Sequence, residues 1–141
     1  DLTMHGPSQK LEIKPYSKRR AVYGYIDRQN ISPTLSSFDF ANPNIHAPQR
    51  VETTVPQQAL FAFNHPFVIE RSATLAKKAF DSTATNPSSQ VEFLYRQILS
   101  RNPRKDESML AVDFLGPDAK LANFEDLAQT LLVSNEFFFT D

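Results

Sequence analysis

The sequence predicts a mainly α domain: three to four packed helices between about residues 57 and 137, with an extended, proline-rich N-terminal arm that has room for one short strand. Three observations carry this. Apolar residues recur at helical spacing from about Val55 onward. The segments Asn64-His65-Pro66, Asn102-Pro103 and Gly116-Pro117 punctuate that half with start and stop signals. Seven of the ten prolines fall in the first 66 residues, where they interrupt any regular element. The division is therefore an arm over 1–55 and a helical body over 56–141, together one domain.

In the arm, Arg20-Ala-Val-Tyr-Gly-Tyr-Ile26 is the candidate strand, since β-branched and aromatic residues suit a pleated surface. Pro33 to Phe40 has room for a single helical turn. Gln57 to Phe63 then reads as a short helix. His65 caps the next one, which starts with Pro66 and runs to about Phe80, turning Val68, Leu75, Ala76, Ala79 and Phe80 inward.

After a polar loop, Ser89-x-x-Glu92 has the form of a capping box. Val91, Leu94, Tyr95, Ile98 and Leu99 follow at the spacing of one buried face. Asp106 to Leu115 reads as a further helix with Met109, Leu110 and Phe114 inward. Asn123 is expected to cap the last, with Phe124, Leu127, Leu131 and Phe138 on its inner side. Phe137-Phe138-Phe139 reads as a core plug, because burying each ring is worth roughly 1.5–3 kcal/mol.

Composition narrows function by exclusion. The chain has 141 residues, no cysteine, three glycines and a net charge of −1. That excludes a disulfide scaffold, a thiolate metal site, a cysteine nucleophile and C-x-x-C-H haem attachment. Walker, G-x-G-x-x-G, G-x-S-x-G and H-E-x-x-H patterns are missing, and no apolar run approaches the roughly 18 residues of a membrane helix. The near-neutral charge hides a division: residues 1–50 carry seven Lys/Arg against four Asp/Glu, and 51–141 carry eight against twelve. Lys18-Arg19-Arg20 reads as a solvated edge. No nucleic-acid or membrane partner, metal or cofactor is expected.

The candidate ligand cluster is Asp39, Asn44, His46 and Arg50, joined by Glu52 and by Tyr23 and Tyr25. Polar groups among aromatic rings suit a carbohydrate, and two carboxylates at suitable separation would do acid and base work on a glycoside. The simpler reading is that Asp39 makes a turn and Arg50 pins backbone carbonyls. A sugar-binding surface would need two or more of Tyr16, Tyr23, Tyr25, Phe38 and Phe40 exposed together. A hydrolase would draw on Asp39, His46, Glu52 or Glu70.

Four stretches carry a resemblance. They are Arg19-Arg20-Ala-Val-Tyr23; Phe38-Asp39-Phe40 with Pro43; Arg50-x-x-Thr53-Thr54-x-Pro56-x-Gln58-Ala59-Leu60 with Asn64-x-Pro66-Phe67-Val68; and Ser134-Asn135-Glu136-Phe137. In order and spacing they resemble the C-terminal domain, of unknown function, of large planctomycete proteins that also carry cytochrome-c-like domains. Met4-His5-Gly6-Pro7 is similar to a Gly-Gly-Pro stretch there. The resemblance implies an exported protein, periplasmic or on the cell surface, linked to polysaccharide breakdown. It also implies that these residues are the latter part of a longer domain, so an exposed apolar face would drive self-association. It brings no catalytic residues.

Separately, Leu94-Tyr95-Arg96-x-Ile98-Leu99-x-Arg101-x-Pro103 with Ser134-Asn135-Glu136-Phe137 is similar to a short helical module of secreted bacterial proteins. It implies a packed hairpin with Arg96 and Glu136 at helix surfaces, suited to an ion pair. The resulting expectation is a non-catalytic accessory or interaction module. Its ligand would be protein, including other domains of the parent chain, or carbohydrate. A polysaccharide hydrolase fragment and a structural spacer are the alternatives.

Overall fold

The computed structural model describes residues 6–38, 40–41, 43–44, 56–81 and 86–138. Among them are seven α-helices and no strand, so the chain is mainly α. It divides into two compact units, residues 1–61 and 62–141.

In the first unit the candidate strand is corrected. Ala21–Tyr23 is a 3-10 turn, closed by the Tyr23 and Gly24 N–H groups on the Arg20 and Ala21 carbonyls. Among the described residues Gly24 alone pairs sideways, in one parallel bridge to Gln9. There the Gln9 N–H donates to Tyr23 O at 3.1 Å and the Tyr25 N–H to Gln9 O at 2.8 Å. Propensity lost to local hydrogen bonding, which a single bridge to one neighbouring segment does not outweigh. The Gly24 backbone lies so near Leu11 that an added Cβ would come within 2.8 Å of its side chain.

The expected helical turn is α1, Pro33–Ser37. Its cap comes from Glu12, whose Oε1 accepts from Ser32 Oγ, Thr34 Oγ1 and the Thr34 N–H. A carboxylate at a helix start meets both unsatisfied donors and the positive end of the helix. The Phe38 and Phe61 rings meet edge to face at 5.2 Å. Helix α2, Pro56–Asn64, spans the division between the units.

The second unit is a helical bundle of α3 (Pro66–Phe80), α4 (Pro87–Leu99), α5 (Lys105–Leu115), α6 (Leu121–Val133) and the single turn α7 (Asn135–Phe138). His65 caps α3 as expected, its Nδ1 accepting from the Phe67 N–H at 3.3 Å. The most extensive pairing, α3 on α6, is made close by Ala76, Ala79 and Ala128, all without exposed surface. Ser72, also buried there, returns its hydroxyl to Ile69 O. Val91, Leu94, Tyr95 and Ile98 supply the α4 face as the spacing predicts, and Phe124, Leu127, Leu131 and Leu132 that of α6. Phe80, expected to turn inward, meets Phe124 edge to face at a centroid distance of 5.7 Å but is 42% exposed.

Several local expectations are corrected. Helix α4 begins two residues before the Ser89 capping box, because Asn86 caps it through the Ser88 N–H and Pro87 fills the first position. It ends at Leu99, where Ser100 turns left-handed, before Asn102-Pro103. Asn123 is not the α6 cap but its third residue, accepting from the Lys120 N–H at 3.0 Å. Phe137 is 42% exposed and packs edge-on against half-buried Phe138, so the two are no sealed plug; Phe139 lies outside the described residues.

The largest correction concerns α5. Ala111 and Leu115 are its buried residues, while Met109, Leu110 and Phe114 are 73%, 71% and 53% exposed. The helix is rotated from the expected phase. The small Ala111 lets α5 approach its neighbours, and the larger side chains are left outside. Gly116 then stops the helix at φ +67°, a conformation that favours glycine.

Candidate functional site

Of the expected ligand cluster, Asp39, His46, Arg50 and Glu52 lie outside the described residues. Asn44 is exposed, and its Nδ2 donates to Arg28 O at 3.0 Å. Tyr23 is half-buried under the Arg19 guanidinium, centred 4.1 Å from its ring centroid. Arg19 also reaches Pro7 O at 3.2 Å, and a Cβ on Gly6 would stand 2.8 Å from its Nη1. Arg19 thus joins Gly6-Pro7 to Tyr23 by packing. Tyr16 is buried and Phe38 and Phe40 are half-buried, which leaves Tyr25 as the exposed ring of the five aromatic candidates. Glu70 lies beside Arg71 at 3.8 Å. Among the described residues no three His, Cys, Asp or Glu side chains group as metal ligands, and no helix is long and apolar enough to cross a membrane.

The strongest polar constellation is one that sequence reasoning placed on the wrong arginine. Ser100, in the left-handed conformation at φ 56°, turns the chain out of α4 and presents Arg101 to the starts of α5 and α7. Arg101 grips Glu107 through Nη1 and Nη2 at 2.7 and 2.8 Å. It also grips Glu136 through Nε and through Nη2 at 2.7 Å, and Nη1 donates to Asn102 O at 3.0 Å. All five guanidinium N–H groups are accounted for. Arg96, expected to pair with Glu136, instead meets Glu92 one turn back and Asn102 Oδ1.

Glu107 has two functions. Besides gripping Arg101, it accepts the Arg104 N–H at 2.7 Å and so caps α5 from its third residue. Hydrogen bonding to Arg101 holds its carboxyl down to about 2, and lowers that of Glu136 as well. The same bonds raise the Arg101 pKa further, Glu136 contributing most. Tyr95, whose ring centroid is 5.5 Å from the guanidinium carbon, has its hydroxyl pKa raised, chiefly by burial. Groups pinned this far from neutrality are poor proton-transfer catalysts, and a guanidinium with no spare donor offers no anion a seat. The cluster is a structural lock.

The other notable surface is α5. A groove of about 490 Å³ runs beside it, lined by Ser88, Ser108, Met109, Leu110, Val112 and Asp113. A second hollow of about 460 Å³ shares Ser88, Ser108 and Met109 and adds the charged Glu92, Arg104 and Lys105. The apolar side chains left outside by the phase of α5 therefore border a concave, mixed-charge surface. An amphipathic pattern assigns such residues to the core, so the sequence carried no signal for this.

A family model described as PSD1, a protein of unknown function (DUF1553), matches residues 1–115. The chain belongs to the PSD1 family. The match includes Gly6-Pro7, Arg19, Tyr23, the start of the helical bundle and all of α5. It stops before α6, so Arg101 and Glu107 of the lock lie inside the PSD1 match and Glu136 beyond it. No curated protein and no solved structure matches this PSD1 chain.

Proposed function

We propose that this PSD1 chain is a non-catalytic interaction module of an exported, multidomain bacterial protein of the planctomycete kind, and that its working surface is the outward face of α5. The observation that carries the reading is the exposure of Met109, Leu110 and Phe114 on one helix beside a groove. Contiguous exposed apolar side chains rimmed by charge are what a polypeptide interface needs. The saturated Arg101 lock supports a scaffold reading, since it fixes the bundle and offers no reactive group. Polypeptide is favoured over carbohydrate because a sugar platform needs at least two exposed rings, and among the aromatic candidates described Tyr25 alone qualifies. The export and polysaccharide setting rest on the resemblance of the quoted stretches.

The test is photo-crosslinking from position 110 in the full-length parent protein, with exposed Asp118 as the control position. Crosslinks to polypeptide from 110 well above those from 118 are expected. Equal yields at the two positions would remove the reading.

A further inference from the structure

We propose that the outward face of α5 pairs with the same face of a second copy of this chain, antiparallel, about a two-fold axis through Met109. This rests on the reading of α5 as the interaction surface and names its occupant. Lys105, Met109 and Asp113 stand at successive i, i+4 positions, so they form one line along the helix, and all three are exposed. The line is positive at its start, apolar at its centre and negative at its end.

An antiparallel copy centred on Met109 sets each residue against the one equally far on the other side. Lys105 then faces Asp113 of the second copy, and by symmetry the pair occurs twice around an apolar centre. A two-fold interface requires such self-complementarity of one patch. The charges also select the register. Moving the axis to a point between Met109 and Leu110 would bring Asp106 against Asp113, two carboxylates. The groove of about 490 Å³ beside Met109 and Leu110 gives the partner's apolar side chains a place to enter.

The test is charge reversal, read by sedimentation equilibrium on the 141-residue chain, with far-ultraviolet circular dichroism to check that these surface variants keep their helices. Lys105→Asp faces aspartate against Asp113, and Asp113→Lys faces lysine against Lys105; each should weaken self-association about tenfold. An equimolar mixture of the two variants pairs opposite charges at both positions and should associate as the parent chain does. A parent chain that stays monomeric into the millimolar range overturns the inference, as does a dimer indifferent to both reversals. If either result comes with position 110 still crosslinking to another polypeptide, the interaction module stands and only the second copy falls. If the crosslink is absent as well, both fall.

Discussion

Arg101 and Glu136 stand 35 residues apart and are joined by two hydrogen bonds, Nε to Oε1 and Nη2 to Oε2. Because the same guanidinium forks onto Glu107, one side chain ties the end of α4 to the starts of α5 and α7. Arg101→Ala should therefore lower stability by about 2 kcal/mol, since two carboxylates lose their shared partner in a partly buried site. Arg101→Lys should recover less than half of that, because an ammonium cannot present parallel donors to both. Urea denaturation of the two variants measures this.

The lock is sensitive to acid in a defined window. The Glu107 carboxyl is held at about 2 in the folded chain against an ordinary value of 4.5. Its folded value is the lower one, so its contribution is complete above the ordinary carboxylate range and is lost as pH falls from about 4.5 toward 2. Glu107→Gln should be less stable than the parent at neutral pH and should lose less on acidification. Parallel thermal melts from pH 7 to 2 should thus converge.

The start of α4 separates two caps that the sequence offers. Asn86→Ala should cost about 1 kcal/mol, since Asn86 Oδ1 accepts the Ser88 N–H. Ser89→Ala, which removes the capping-box serine, should change stability by less than about 0.5 kcal/mol.

What the sequence made legible follows how locally each feature is determined. The α4 face was readable because Val91, Leu94, Tyr95 and Ile98 recur at i, i+3, i+4 and i+7, and Glu92, Arg96 and Gln97 between them mark the opposite side, which fixes one helical phase. His65 and Pro66 likewise mark their own boundary. In Met109-Leu110-Ala111-Val112-Asp113-Phe114-Leu115 almost every position is apolar, so several phases fit equally well. The choice falls to Ala111, whose small size permits close approach that only packing reveals. Arg96 and Arg101 lie five residues apart at the end of α4, and both are within side-chain reach of the Asn102 region. Which of them meets Glu136 depends on the left-handed turn at Ser100, and serine gives no warning of it. The sequence-predicted cluster around Asp39 and Arg50 falls largely outside the described residues, and Tyr23 within it is covered by Arg19.

Core and surface should separate cleanly in the bundle. Phe124→Ala empties the space of a ring that is 1% exposed and should cost about 3–5 kcal/mol. Ala111→Leu should cost about 1–3 kcal/mol by overpacking, although it adds apolar surface. Leu110→Ser, one position away on the outward face, should stay within about 0.5 kcal/mol. Chemical denaturation of the three variants gives the comparison.

The orientation of α5 underlies both the interaction module and the paired copy, and the absence of cysteine from the chain allows it to be tested without background. Leu110→Cys and Ala111→Cys would each carry a single thiol, whose rate of reaction with a disulfide reagent reports its access to solvent. Leu110→Cys should react at nearly the rate of a free thiol in dilute solution and more slowly as protein concentration rises, whereas Ala111→Cys should be slow at every concentration. A Leu110→Cys thiol as protected as that of Ala111→Cys in dilute solution would mean that the apolar face of α5 is buried within its own chain, and would contradict the account.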